Sequence, residues 1–141
     1  MGNKLSSNNY NKIRYLTKND VEDFKLKDIS FKCKVVDVYD GNTCKIIFKY
    51  KGKINKWNLH LEGYDVPNLK PRLNDPKRDE KIAKATLFKD YLENIVLGYC
   101  CIVKCNDYKR GDIIGELYLE NLKNISVNYL MKIQIKNTTY V

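Results

Sequence analysis

The sequence predicts an α+β domain that is mainly β, and three observations favour this class. Apolar and polar residues alternate along residues 34–49, which is the period of a half-buried strand and not of a helix. Asp40-Gly41 interrupts the alternation, and an Asp-Gly pair between two such runs signals a hairpin because glycine adopts a positive φ at little cost. An amphipathic helical pattern follows between Ile82 and Val96. We therefore expect a small antiparallel sheet with a long helix against one end.

The predicted elements follow the order three strands, helix, two strands, helix. The first three strands form a meander, since a turn at 50–53 separates the Asp-Gly hairpin from the alternating run 54–62. For the long helix, Asp75 is the expected N-cap, Pro76 takes the first helical position, and Gly98 ends the helix. The remaining strands and the last helix are predicted at 99–105, at 113–119 and after the cap Ser126. In this pattern Trp57 is interpreted as a core residue.

Composition and charge narrow the functional classes. The chain has 141 residues and no apolar stretch that approaches the roughly 18 residues of a membrane span. Its net charge of +9 favours a polyanionic partner, although an A/T-rich coding sequence would also produce many lysines. The five cysteines are an odd number without a secretory leader, so we expect them to be core residues in a reducing compartment. His60 is the single histidine and cannot complete a usual zinc site.

The start of the chain carries a lipidation motif. Residues 1–9 are polar and are expected to be disordered. Met1 to Ser6 fits the pattern M-G-x-x-x-[ST], in which Gly2 accepts a myristoyl chain once Met1 is removed. One acyl chain binds membranes only marginally, so a second signal is needed, and cationic side chains could supply it by attraction to anionic headgroups. These cations are Lys4, Lys12, Arg14 and Lys18.

Three stretches of the chain resemble the staphylococcal nuclease (thermonuclease-like) family. They are Val38–Thr43, Gly63–Glu80 and Tyr108–Gly115, and the second is most similar to forms found in large DNA viruses and eukaryotes. The resemblance covers about residues 31–132, in order and at compatible spacing. It implies a five-stranded OB-type barrel, the staphylococcal nuclease fold, with a long helix after strand 3 and a C-terminal helix.

The resemblance also sets the expected domain limits. Residues 1–30 form an N-terminal arm, 31–133 the nuclease-like domain and 134–141 a polar C-terminal tail. Within the arm, Asn19 is expected to cap a short helical turn between Leu16 and Phe24, packed over the outside of the domain.

The expected location of the protein is the cytoplasm of a eukaryotic host cell or the cytoplasmic side of its membranes. A virion is the alternative location, and secretion is not expected.

The resemblance implies specific roles for five charged side chains and one backbone carbonyl. In nucleases of this family two aspartates and a backbone carbonyl hold calcium, a glutamate assists the attacking water, and two arginines bind the phosphate. The calcium position here consists of Asn42, Asp65 and the carbonyl of Val66. The glutamate position is Asn68, and an amide is not a general base at neutral pH. The arginine positions are His60 and Asp112, and Arg110, two residues earlier, is a possible substitute.

Four of these five positions therefore lack the family's residue, and Asp65 alone keeps it. Losing one positioned electrostatic donor commonly lowers a rate by about 10² to 10³, and losing a general base by about 10² to 10⁴. We accordingly predict a degenerate domain that binds nucleic acid or a partner, without a required cofactor and tethered to a membrane through Gly2. The alternatives are an active calcium-dependent phosphodiesterase that cleaves DNA or RNA, and a lipid-anchored structural or virion protein.

Cationic residues supply the candidate nucleic-acid contacts, with single-stranded or non-specific binding expected. They lie on the turn after the second strand, on the loop before the long helix and before the fifth strand. The residues are Lys49, Lys51, Lys53, Lys70, Arg72 and Arg110. Tyr64, Trp57, Tyr108 and Tyr118 are possible stacking surfaces, as OB-folds use for single strands.

Overall fold

The computed structural model describes residues 7–139, and its five strands close into a barrel in the order β1-β2-β3-β5-β4. The elements are α1 (Ser7–Arg14), β1 (Ser30–Asp40), β2 (Thr43–Tyr50), β3 (Lys53–Leu61), α2 (Arg78–Val96), β4 (Cys100–Lys109), β5 (Asp112–Leu119) and α3 (Val127–Thr139). Strands β3 and β5 are parallel, and the other neighbours are antiparallel. The predicted α+β class and the five-stranded, OB-like barrel are confirmed. Within the described range, no helix combines the length and apolarity needed to cross a membrane.

Strand β1 pairs with both β2 and β4, and a bulge interrupts its register on β2. The register on β2 shifts between Val35 and Asp37, and such an extra residue bends the strand and increases its twist. As a result Val35 and Val38 both face the interior, while Val36 is only half-buried. A strict alternation along residues 34–49 places Val36 on the same face as Val38, and this part of the prediction is wrong because the bulge changes the phase of the strand.

Helix α2 packs its apolar stripe against the barrel, chiefly against β1. The stripe consists of Ala85, Phe88, Leu92 and Val96, all buried. The helix begins at Arg78, later than predicted, because Asp75 forms a turn before it: Asp75 Oδ1 accepts the Lys77 N–H at 2.9 Å. Gly98 follows the helix with a φ of 82°, as predicted, and donates its N–H to the Val35 carbonyl at 2.9 Å.

Helix α3 is longer than expected. Its start agrees with the prediction, since Ser126 Oγ accepts the Tyr129 N–H at 3.0 Å. Residues 134–139, interpreted as part of a tail, continue the helix. The reason is an apolar residue at every fourth position: Val127 and Met131 are fully buried, and Ile135, one turn further on, packs against the core.

The arm also differs from its prediction. The helix lies at Ser7–Arg14, partly inside the segment expected to be disordered, and no helical turn runs from Leu16 to Phe24. Instead, Asp20 Oδ2 accepts hydrogen bonds from the Thr17 N–H and hydroxyl at 2.8 and 3.0 Å, which turns the chain back. Leu26 is fully buried in the core. Gly2 and its motif lie outside the described residues.

The cysteines belong mainly to the core, as predicted. All five are free, and Cys33, Cys44, Cys101 and Cys105 are buried, whereas Cys100 is exposed. Burial raises the pKa of Cys44 to about 12, so its thiol stays protonated near neutral pH. These thiols act as small apolar groups in the barrel.

Asn128 joins α3 to the barrel through three hydrogen bonds. Its Nδ2 donates to the carbonyls of Glu62 and Gly115 at 2.8 and 3.0 Å, and its Oδ1 accepts the Leu117 N–H at 3.0 Å. The side chain is only 6% exposed, so these backbone groups have little access to water. Asn128 therefore holds the end of β3, the middle of β5 and α3 together.

We expect Asn128→Ala to lower the free energy of unfolding by roughly 2–4 kcal/mol, because it leaves a buried N–H and two carbonyls without this partner. Urea unfolding followed by circular dichroism measures the change. Asn94→Ala, at an exposed position of α2, is the matched control and should change stability by less than about 1 kcal/mol. Equal effects of the two substitutions would contradict the assignment.

Candidate functional site

The turn between β1 and β2 is shaped by close packing. A Cβ on Gly41 would lie 2.8 Å from Phe88 Cβ and 2.9 Å from Val66 Cγ1, so no larger residue fits without movement. The Tyr64 hydroxyl donates to the Gly41 carbonyl at 2.7 Å, and burial raises the pKa of this phenol. Gly41 is not among the glycines with positive φ. The hairpin was predicted correctly, but the glycine is required for space and not for a left-handed backbone.

The positions implied for calcium offer a poor set of ligands. Asp65 is exposed and supplies one carboxylate. Asn42 donates its backbone N–H to Asp40 Oδ1 at 2.9 Å, and its Nδ2 lies 3.4 Å from the Tyr64 carbonyl. Within residues 7–139 no three His, Cys, Asp or Glu side chains cluster to hold a metal ion. Calcium prefers six to eight oxygens with several carboxylates, so Asn42, Asp65 and Val66 do not fit it.

Asn68, at the glutamate position, has a side chain that is already engaged in a hydrogen bond. Asn68 Oδ1 accepts the Lys70 N–H at 2.9 Å, which closes a local turn of the kind that asparagine favours. The same loop carries Arg72, which lines a cavity of about 530 Å³ beside the start of α2 together with Lys77 and Lys81. Asn68 thus shapes the loop, and its amide has no basic lone pair to activate water.

The two arginine positions of the resemblance lie in contact. His60 Nε2 is 3.2 Å from Asp112 Oδ1, and His60 Nδ1 is 3.5 Å from Thr43 Oγ1. Asn58 also donates to Asp112 Oδ1, at 3.1 Å. The parallel pairing of β3 with β5 explains the contact, because it places Asn58 opposite Asp112. The resemblance implies two arginines that attract a phosphate at this place. This chain has instead the carboxylate of Asp112, which is held by Asn58 and His60.

Arg110 lies away from that contact. Strand β4 ends at Lys109 and β5 begins at Asp112, so Arg110 belongs to the turn and not to a strand face that it would share with Asp112. It lines a cavity at the mouth of the barrel, whereas His60 lines a different cavity of about 340 Å³ on the outer surface. Arg110 and His60 thus line different cavities, and the replacement of the missing arginine by Arg110 stays a prediction.

The mouth of the barrel between the β2–β3 and β4–β5 turns contains a cavity of about 650 Å³, hereafter the barrel-mouth cavity. Four of its lining residues are aromatic and three are cationic. They are Phe24, Tyr50, Trp57 and Tyr108, then Lys51, Lys53 and Arg110, with Asn55 between them. Three of the six predicted nucleic-acid contacts thus meet at one place.

Trp57 reaches this cavity by the alternation of strand β3. Leu59 and Leu61 face the interior and are buried, so Trp57, two residues before Leu59, continues the inward row to the open end of the barrel. Its ring makes an edge contact with Phe48 at 5.4 Å and lies nearly parallel to Tyr108 at 6.4 Å. Trp57 is half-buried, so its assignment to the core was only partly correct.

Phe24, on the arm, completes the aromatic lining. Its ring centroid lies 4.2 Å from Tyr50, 5.5 Å from Trp57 and 5.7 Å from Tyr108. The arm is held there because Tyr50 Oη accepts the Lys25 N–H at 2.8 Å and the Tyr108 hydroxyl donates to the Phe24 carbonyl. Sequence reasoning assigned no function to Phe24 or Tyr50. One signal in the sequence was the spacing of Phe24 and Leu26, which puts both on one face of an extended segment.

The cations around the cavity are exposed, and Lys51 among them is paired. Its Nζ lies 2.7 Å from Glu22 Oε2 of the arm, and that hydrogen bond raises the pKa of Lys51. Among residues 7–139, no acidic side chain lines the cavity itself. Lys49 is exposed on β2, opposite Ile54, and it does not line the cavity. Lys70 and Arg72 lie on the loop before α2, so they would contact a ligand only if it extended beyond the mouth.

The Asp112 contacts predict a pH dependence of stability. Hydrogen bonds from Asn58 and then from His60 hold the pKa of Asp112 below its usual 3.8. Because the folded pKa is lowered, the contribution of ionised Asp112 is present above pH 3.8 and is lost as the pH falls through the lowered pKa. The difference in unfolding free energy between the parent and Asp112→Asn should therefore shrink below that pH. Urea unfolding over about pH 2–6 measures it.

Asp90→Asn, at an exposed position of α2, is the matched control for this pH series. It replaces a carboxylate that has no hydrogen bond or ion pair within residues 7–139. A difference for Asp112→Asn that stays constant across the pH range would show that the contact with Asn58 and His60 does not stabilise the fold.

A scan against protein-family models found no match for the chain, and a search of curated proteins found none either. The fold that the structure supports is a closed five-stranded, OB-like barrel. Within it, a cavity with four aromatic rings and three cations lies at one mouth, and His60 contacts Asp112 on the outer surface.

Proposed function

We propose that the chain is a staphylococcal nuclease-like barrel that no longer cleaves and that binds single-stranded nucleic acid at the barrel-mouth cavity. The observation that carries this proposal is the meeting of Trp57 and Tyr108 with Lys51, Lys53 and Arg110 around one cavity of about 650 Å³. Aromatic faces and cations together match a ligand with flat bases and a charged backbone.

Base stacking is the first part of the argument. Trp57 and Tyr108 are inclined by 29° to each other, and Phe24 stacks on Trp57 with ring centroids 5.5 Å apart, so the three rings form one aromatic cluster at the mouth. Bases of any sequence have a π-face, and their stacking on aromatic residues contributes about 1–3 kcal/mol per base. A duplex keeps its bases stacked on one another, so this lining favours a single strand.

The phosphate backbone is the second part. Lys51, Lys53 and Arg110 rim the cavity, and the excess of basic residues gives the whole chain a charge of +9. Arginine and lysine that contact phosphates release condensed counterions, which makes affinity strongly dependent on salt. The cationic rim also disfavours a cationic ligand, although aromatic rings alone would accept one.

The side chains on the outer surface support the proposed loss of cleavage. Asp112 places a negative charge beside His60 where the resemblance implies two arginines, and a phosphate would be repelled there. Asn68 is an amide engaged with Lys70. Asn42 and Asp65 provide one carboxylate between them. Positioned cations, a general base and a hard metal site are all weakened, and these act as a unit in catalysis.

We expect the full chain to bind a fluorescent single-stranded oligonucleotide in an anisotropy assay. Trp57→Leu and Tyr108→Leu keep apolar volume but remove the aromatic faces, so each should weaken binding by roughly 5- to 150-fold, the equivalent of 1–3 kcal/mol. Tyr99→Leu is the matched control, since Tyr99 is an exposed tyrosine outside the cavity. Thermal unfolding of each variant shows whether the barrel is intact.

The cationic residues of the cavity should determine how strongly the binding affinity depends on salt. Replacing Lys53 or Arg110 by Gln should reduce the slope of log affinity against log salt by about 0.7 for each phosphate that the variant no longer neutralises. Lys123→Gln and Lys132→Gln, which remove exposed charges outside the cavity, should leave the slope nearly unchanged. Salt-independent affinity of the parent, or an equal decrease in both sets, would overturn the proposed interface.

Cleavage is tested in the same samples. We expect single-stranded DNA and RNA to stay intact with calcium and with a chelator, because the positions that implied cleavage are substituted. Cleavage that requires calcium and disappears in Asp65→Ala would instead establish an active phosphodiesterase. Neither cleavage nor binding would favour a structural role of the barrel.

A further inference from the structure

The N-terminal arm exposes large apolar side chains that nothing in the proposed nucleic-acid site uses. Between residues 11 and 21 they are Ile13, Tyr15, Leu16 and Val21, with exposed fractions of 59, 76, 41 and 57%. Single exposed apolar residues are ordinary. Four within nine positions of the chain form a local concentration, and such concentrations mark contact surfaces.

Cationic side chains are interleaved with these apolar ones. Lys12, Arg14 and Lys18 are exposed, and the Arg14 guanidinium lies 5.3 Å from the centre of the Tyr15 ring. The sequence has no acidic residue before Asp20. The arm up to Asn19 is therefore purely cationic. Within residues 11–21 the one carboxylate, Asp20, is bonded to Thr17, so three cations outnumber it and the segment is complementary to an anionic surface.

We propose that residues 11–21 are a binding surface for an anionic phospholipid bilayer. The apolar side chains enter the boundary between headgroups and acyl chains, and the cations remain at the headgroups. A nucleic acid would satisfy the cations but would leave isoleucine, leucine and valine exposed to water. A bilayer accepts both kinds of side chain, which is the reason to assign lipid to this part of the arm.

None of residues 11–21 lines the barrel-mouth cavity, although Lys18 and Val21 line a neighbouring cavity with Tyr50 and Lys51. Leu26 is fully buried, and the Phe24 ring packs on Tyr50. The Lys51–Glu22 ion pair holds the segment just before them. Residues 11–21 precede all of these contacts, so they can contact a membrane while Phe24 stays in the cavity lining.

The motif at Gly2 would add an acyl chain to the same arm. A single myristoyl chain gives an association constant of only about 10⁴ M⁻¹, so stable binding needs a second signal. Each lysine or arginine close to an anionic surface contributes about 1 kcal/mol, or roughly fivefold in affinity. The surface of residues 11–21 is that second signal, and it should act without the acyl chain as well.

The test is sedimentation of the full, non-acylated chain with vesicles of phosphatidylcholine alone, or of phosphatidylcholine mixed with phosphatidylserine, whose headgroup makes the surface negative. We expect binding to the anionic vesicles only, and weaker binding at high salt. Lys12→Gln with Arg14→Gln should lower the partition coefficient by roughly 25-fold, and Ile13→Asn with Leu16→Asn by about tenfold or more.

Matched controls exclude general effects of charge and hydrophobicity. Lys123→Gln with Lys132→Gln removes two exposed cations outside the arm, and Leu73→Asn removes an apolar side chain that is 88% exposed on a loop. Both should bind vesicles as the parent does. Absence of vesicle binding, equal binding to neutral and anionic vesicles, or an equal decrease in arm and control variants would each overturn the proposal. Oligonucleotide affinity of the arm variants should stay unchanged.

Discussion

The parallel pairing of β3 with β5 closes the barrel, and the other features depend on this closure. The two strands are far apart in the sequence, and α2 and β4 lie between them. Asn128 secures the pair from outside by bonding to Glu62, Gly115 and Leu117. Gly115 fits because it lacks a side chain, since a Cβ there would lie 2.1 Å from the Lys104 carbonyl oxygen. The absence of a side chain at Gly115 and the buried amide of Asn128 thus determine how β5 packs in the barrel.

Closure of the barrel also separates the two surfaces to which strand β3 contributes side chains, the barrel-mouth cavity and the outer surface around Asp112. Its inward row extends from Leu59 to Trp57 and ends at the mouth, among the rings of the barrel-mouth cavity. Its outward row carries Asn58 and His60, which meet Asp112 on the neighbouring strand. Because successive side chains of a strand point to opposite sides, one surface can lose its cations while the other keeps aromatic and basic residues. The proposed change from cleavage to binding has this geometric basis.

The arm connects the two proposed activities without merging them. Phe24 and Leu26 belong to the barrel by contact, although they precede its first strand. Residues 11–21 expose apolar and cationic groups, and only their end, at Lys18 and Val21, lines a cavity together with Tyr50 and Lys51 of the barrel. A bilayer bound to the arm would hold the cavity close to the membrane surface, and a ligand in the cavity would meet an arm residue among its stacking partners.

The sequence by itself determined the order of the elements from β1 to α3, the end of α2 before Gly98 and the cap of α3 at Ser126, because alternation and capping are local properties. The tertiary structure alone decided that Val35 replaces Val36 inside, since a bulge depends on the partner strand. It also decided that Trp57 lies at a mouth beside Phe24 and Arg110. An inward-facing residue lies either in the middle of the barrel or at its mouth, depending on the strand register and on how the barrel closes. Both depend on pairing between segments that are distant in the sequence, so no single stretch of the sequence encodes them.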